Sequence, residues 1–369
     1  MKTIFIIIGI LGWISLFISL YLYKKSNKNR NKILDLKIVE KEGPKVVVIG
    51  GGTGQSIFLR GLKHYTQNIT AIVTVADDGG GSGVLREDLG MLPPGDIRNC
   101  LLALANIEPT MNEVMQYRFT DGNLKGQSFG NLFIAAMNGL YGNFETAVYK
   151  MSEVFAITGR VLPVTLENVN LIAKLKNGNI IKGESRIPEE VKSQKSNIEK
   201  ITLDPIDVTP LEEVITSIYN ADIIVIGPGS LYTSIIPNLL VRGVVKAIKK
   251  SNAPKVYISN IMTQPGETGN YNVLDHVNAI NKHTNKELID YVIVNSEILP
   301  EDVFDKYRKD GAEQVLLDEH QNKMLDDMDI KVIEDNLVEV KKNYIRHDAK
   351  HIANIIVNLA LSHNYDNDT

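Results

Sequence analysis

Short runs of β-branched and aliphatic residues recur along this chain, separated by longer segments whose apolar positions fall three and four apart. Val46 to Ile49 and Ile69 to Ala76 are runs of the kind that a parallel sheet buries on both faces, and the segment between them, Ser56 to His64, has helical spacing. Together they predict a βαβ unit. The same alternation continues with strands expected at Ala221 to Ile226, Lys255 to Ile261 and Tyr291 to Asn295, and helices at Leu211 to Tyr219, Leu239 to Lys250 and Val273 to His283. The pattern predicts an α/β fold built on a Rossmann-like doubly wound sheet.

Two regions depart from that rhythm. Leu171 to Lys176 and Ile180 to Glu184 alternate around Asn177-Gly178, which is hairpin chemistry, and Pro188 to Lys200 is charged and reads as a loop. A β-rich insert over about residues 161–205 is expected, inside a domain spanning 45–363. The last helical segment, Ala349 to His363, gathers Ile352, Ile355, Ile356, Leu359 and Ala360 on one face for packing against the sheet.

The N-terminus follows neither period. Residues 3–23 contain no charge and are apolar on every face, long enough for one transmembrane helix. A cleaved signal peptide fits less well, because the apolar stretch is long and no small-x-small cleavage site follows. Lys24, Lys25, Lys28, Arg30 and Lys32 follow without an acid, which places this flank and the globular domain in the cytoplasm. Residues 24–44 read as a basic linker ending at Gly43-Pro44. The expected location is the cytoplasmic face of the cell membrane.

Charge adds an exclusion. Six basic residues precede Ile33, leaving 34 Lys and Arg against 44 Asp and Glu in the remainder, a balance that does not favour nucleic acid. The single cysteine, Cys100, cannot form an internal disulfide and is expected to be buried and inert.

Glycine-rich loops carry the candidate chemistry. Gly50-Gly51-Gly52-Thr53-Gly54 follows the first strand, where backbone N–H groups and a helix N-terminus can hold phosphate. Asp77 stands at the end of the second strand, where a Rossmann-type acid meets a ribose, and Gly79 to Gly83 beside it offers further anion-binding donors. In Pro93-Pro94-Gly95-Asp96-Ile97-Arg98-Asn99, Asp96 is placed to cap a helix, while Arg98 and Asn99 project from its first turn. Gly227-Pro228-Gly229-Ser230 repeats the phosphate-site logic after another strand, and Asn260, Thr263, Gln264 and Thr268 offer amide and hydroxyl groups after a third. The seven histidines show no metal-ligand spacing, and Arg346-His347-Asp348 reads as a helix start.

Taken in order, GGGTG at 50, DDGGGSG at 77, PPGDIRN at 93, GNL at 130, VLPVT at 161, IGPGSLYTSIIPNLLVRG at 226, YISNIMTQPGETGNY at 257 and RHD at 346 resemble the YvcK-type gluconeogenesis factors. These share a superfamily with the CofD 2-phospho-L-lactate transferases. The resemblance implies a domain that binds a nucleotide sugar, usually UDP-N-acetylglucosamine. It also implies a regulator of cell-wall synthesis and cell shape during gluconeogenic growth, with wall-synthesis or regulatory proteins as partners. Gln127 stands where relatives commonly carry histidine, and Gly81 where they carry serine. The expected ligand contacts are Gly51, Gly52, Thr53, Gly54, Asp77, Asp78, Ser82, Asp96, Asn99, Asn131, Gly229, Ser230, Asn260, Thr263, Gln264 and Thr268. No catalytic residue is assigned, because the motifs show no base paired with a nucleophile. A CofD-like transferase using Mg2+ held by Asp77 or Asp78, and a nicotinamide-dependent oxidoreductase, are the competing readings. A homo-oligomer is compatible with the chain.

Overall fold

Five consecutive buried residues, Val46–Gly50, form strand β1 in the interior of a seven-stranded sheet. Each of its four aliphatic side chains is at most 2% exposed, and burial of such a side chain contributes about 1.5–3 kcal/mol. The structure is a computed structural model that describes residues 43–107, 109–285, 287–341 and 344–367. The expected transmembrane helix and most of the basic linker lie outside the described residues. Residues Pro44–Thr369 form one unit.

The remaining strands are β2 (Ile69–Val73), β3 (Arg160–Pro163), β4 (Asn170–Leu175), β5 (Ile180–Lys182), β6 (Ile198–Asp204), β7 (Ile223–Ile226), β8 (Lys255–Ile258), β9 (Tyr291–Asn295), β10 (Lys331–Asp335), β11 (Val338–Lys341) and β12 (Tyr344–His347). The main sheet runs β10-β9-β8-β7-β1-β2-β3 with every pairing parallel. From β1 the chain winds outward through β2 to β3, and from β7 it winds the other way to β10. The strand order therefore reverses between β1 and β7, and the loops at their carboxyl ends diverge to open a crevice. Each strand expected for the main sheet is observed within a few residues, whereas β10, β11 and β12 were not expected, and the α/β class holds.

Helix Gly52–Leu62 follows β1 and buries Phe58, Leu59 and Leu62. Helix Ala349–Asn367 crosses it so closely that a Cβ on Gly61 would collide with the Ala349 carbonyl. The expected apolar face of this last helix is buried at Ile352, Ile356 and Ala360. The expected helix from Leu239 to Lys250 is broken. One helix ends at Leu240 and another starts at Val244, with Gly243 at φ 85° between them. Among the described residues no single helix is long and apolar enough to cross a membrane.

Within the expected insert, β5-β4-β6 form a separate antiparallel sheet around the Asn177-Gly178 turn, whereas Arg160–Pro163 belongs to the main sheet. Pro188 to Lys200 is not a loop. It forms helix Ile187–Gln194, which buries Ile187 and Val191, and then enters β6. The strand's alternation is broken between Ile198 and Ile201, where the pairing with β4 shifts register, so its apolar positions do not read as a strand.

Candidate functional site

The two glycine loops expected to hold phosphate meet at the switch point. β1 ends at Gly50, Gly51 is extended, and Gly52 turns into the helix at φ +65°, a conformation that disfavours any side chain. No side chain caps this helix. A Cβ on Gly54 would stand 2.9 Å from the Pro228 carbonyl oxygen, so the loop after β1 lies directly against the loop after β7. Fully buried Asn238 ties them together, its Nδ2 donating to the carbonyls of Gly50 at 2.8 Å and Ser234 at 2.7 Å. After Ser230 the chain makes a π turn, Leu231–Ile235, a distortion that is frequent at functional sites.

These loops border a cleft of about 620 Å³. It is lined by Gly51 to Gly54, Asp77 and Asp96, by Gly229 and Ser230, and by Asn260, Thr263 and Gln264. Gln264 Nε2 donates to Ser230 Oγ at 2.8 Å, and Asn260 Nδ2 donates to the Gly229 carbonyl at 2.9 Å, so two of the expected contacts also brace the second loop.

Five expected residues stand outside this lining. Asp78 instead accepts the backbone N–H groups of Glu184 at 3.1 Å and Ser185 at 2.9 Å, latching the insert to the site. Ser82 is buried beneath Gly95, where a Cβ would lie 2.5 Å from its Oγ. Asn99 and Asn131 accept from the buried Arg98 guanidinium at 2.9 and 2.8 Å. Thr268 accepts the Gln264 N–H at 2.9 Å and shapes the loop after β8. Arg98, expected to project toward phosphate, turns inward and also donates to Ser128, fixing the Gly126 to Leu132 segment.

Asp96 does not cap a helix. Helix Gly95–Leu104 begins one residue earlier, with Pro94 at the cap position, and the Asp96 carboxylate lies in the cleft lining, where the nearby Gly52 backbone N–H favours its charged form. Burial, reinforced by the neighbouring Asp77, raises its pKa to about 7. Glu184, delivered by the insert and not anticipated from the sequence, is raised to about 8 by burial and by Asp77, Glu267, Asp78 and Asp96. Asp96 and Glu184 therefore hold protons near neutrality and can donate hydrogen bonds to an anion. Among the described residues no three His, Cys, Asp or Glu groups are placed to hold a metal ion together. Magnesium commonly takes one or two carboxylates and completes its shell with phosphates and water, a role open to Asp77 and Asp96.

Three further features escaped the sequence reading. Thr233 lines the cleft and its hydroxyl donates to Glu267 at 3.2 Å, a hydroxyl–carboxylate pair in which burial raises the glutamate to about 7. Tyr307 closes one wall and accepts the Ile345 N–H at 2.8 Å. Arg346 and His347 also reach the cleft, while Asp348 caps the last helix by accepting the His351 N–H at 3.0 Å, so the helix-start reading describes only the third residue. His347 Nε2 donates to the Ser259 carbonyl at 3.1 Å, and burial lowers its pKa to about 4, which keeps it neutral. Its position next to an arginine was the available signal.

Residues 46–338 match the family described as 2-phospho-L-lactate transferase CofD. The chain is 61% identical over 317 residues to a putative gluconeogenesis factor of Thermoanaerobacterium thermosulfurigenes, covering 86% of this chain and 97% of that protein. It belongs to the gluconeogenesis-factor branch of the CofD family. A second relative of this branch, the gluconeogenesis factor of Bacillus subtilis, is 48% identical over 86% of this chain and 98% of its own length. The crystal structure of a UPF0052 family member from Bacillus halodurans shares the fold of this CofD-family protein at a TM-score of 0.81 and 45% identity, covering 84% of this chain and 98% of that one.

Proposed function

We propose that this protein is a non-catalytic, UDP-sugar-binding regulator, with UDP-N-acetylglucosamine as its ligand and cell-wall synthesis and cell shape under gluconeogenic growth as its output. The observation that carries the reading is the contact between the two glycine loops at the switch point, which aims an uncapped helix N-terminus into a polar cleft of diphosphate-sugar size. The names of the relatives, factors rather than enzymes, agree with it. Regulation requires that occupied and empty forms bind a partner differently, and the insert held by Asp78 beside the ligand is the surface suited to carry that difference. Calorimetric titration of the full-length chain with UDP-N-acetylglucosamine, GDP and NAD in parallel is expected to give the tightest binding for the UDP sugar, with no product detected by mass spectrometry. Preferential binding of NAD would sink the reading in favour of an oxidoreductase.

A transferase remains the second reading, favoured by the Thr233–Glu267 pair and by the match to a transferase family. It predicts a new product with GTP, magnesium and an organic phosphate acceptor, abolished in Glu267→Gln. For location, we propose a single N-terminal anchor with the domain at the cytoplasmic face of the membrane. A reporter fused after Thr369 should then be active only inside the cell, and activity on the outer side would contradict the assignment.

A further inference from the structure

Behind the helix that follows β1, the nucleotide cleft continues into a second cavity of about 860 Å³. Thr53, Ile57, Arg346 and His347 border both spaces. The far end is fixed by the close crossing of Gly61 on Ala349, so the groove is bounded by two packed helices and by β12.

Its charge is opposite to that of the cleft. Asp77, Asp96 and Glu184 face the nucleotide side, whereas the groove is lined by Arg60 from the first helix, His64 in the turn after it and Lys350 from the last helix, with Arg346 of β12 bordering both spaces. The acids in the groove are already engaged. Glu339 lies directly opposite Arg346 in the β11–β12 ladder, and Asp348 caps the last helix. His351, also in the lining, is paired with Asp335 at 2.8 Å. Arg60 and Lys350 have no ion pair among the described residues. Arg60 is also close enough to Lys63 for its charge to disfavour the protonated amine there. An exposed guanidinium and an exposed ammonium, each without an ion pair and carried by the two helices that border one groove, suit a small ligand with more than one negative group, the guanidinium gripping two oxygens of one phosphate or carboxylate.

We propose that this groove is a second ligand site, for a small multiply charged anion bearing phosphate or carboxylate groups, bound beside the nucleotide and sensed through the four shared residues. The site goes beyond the UDP-sugar reading and does not depend on which nucleotide occupies the cleft.

The test uses the full-length chain in detergent, saturated with UDP-N-acetylglucosamine so that the first cleft is filled, and then titrated calorimetrically with inorganic pyrophosphate or with citrate. One equivalent of at least one probe is expected to bind. The tighter of the two identifies phosphate or carboxylate as the recognised group, and binding of neither overturns the proposal. An Arg60→Gln, Lys350→Gln double variant is expected to weaken that binding at least tenfold while leaving UDP-sugar affinity within twofold, since neither residue lines the first cleft. Unchanged probe affinity in the variant also overturns it. If the UDP sugar itself shows no saturable binding, the functional reading fails separately, and the nucleotide-free chain is titrated instead. Two pyrophosphate equivalents there support the groove, and one or none overturns it.

Discussion

A Gly52→Val variant is expected to fold and to bind UDP-N-acetylglucosamine at least a hundredfold more weakly than the unmodified chain, as measured by calorimetry. A left-handed conformation costs a branched residue about 1–2 kcal/mol, a strain the protein can carry. Space for the first carbon exists, because the nearest heavy atom to a Cβ at this position is Ser234 Oγ at 3.6 Å. The methyl groups beyond it then fill the mouth of the helix N-terminus and hold a diphosphate away from the backbone donors. A hundredfold loss corresponds to about 2.7 kcal/mol, the scale of a few charge-assisted hydrogen bonds. Gly90→Val is the control for strain: φ there is +63° with nothing within 4 Å, so it carries a similar backbone penalty away from the cleft and should bind normally. Equal affinity in both variants would remove the phosphate role from this loop.

The second large effect is one of pH. In the absence of divalent cations, affinity for the UDP sugar should fall at least tenfold between pH 6 and pH 9. Asp96 and Glu184, with pKa values near 7 and 8, are neutral at the lower pH and ionise across this window. They then repel the diphosphate together with Asp77, while Arg98 offsets the charge of Asp96 only in part. Stability follows the same sign. Both groups titrate higher in the folded chain than in the unfolded one, so their stabilising contribution is complete below about pH 4 and is lost as pH rises through 7 and 8. Glu184→Gln should therefore raise the thermal midpoint at pH 9 and leave it unchanged at pH 4, and it should flatten the pH dependence of binding. Magnesium should reverse the trend by neutralising the carboxylates. Affinity independent of pH would show that these carboxylates do not face the ligand.

Much of this architecture is written in short-range pattern. The buried parallel strands appear as unbroken β-branched runs, and both glycine loops follow such runs directly, so the switch point and the two loops that meet there could be located from Val46 to Gly54 and from Ile223 to Ser230. What escaped depends on tertiary placement. Glu184 reaches the cleft only because Asp78 holds the insert there, over a hundred residues away in the chain, and no local signal distinguishes it from any other exposed glutamate. Asp96 sits where a capping residue belongs, yet its carboxylate is drawn toward the Gly52 N–H across the crevice. The irregular pairing of β4 with β6 hid a strand, because one shifted position is enough to break a period of two. Arg346 and His347 were legible as residues but not as part of the site, since β12 is brought to the cleft by contacts far from it in sequence.

The insert grips its host at two places. Asp78 holds the backbone at Glu184 and Ser185, and the loop after β8 passes so close to Pro188 that no side chain fits at Gly266. Gly183 is drawn in as well, at φ +106° with space for a Cβ only 2.8 Å from an Asp78 oxygen. Such a segment is a wall of the chamber rather than an appendage, and its history should be that of a wall. A longer outer turn at Asn177-Gly178 should be tolerated, whereas a change within Gly183 to Pro188 should require a matching change at Asp78. A chimaera that exchanges the insert between relatives keeps a working chamber only when both halves of this joint come from the same parent.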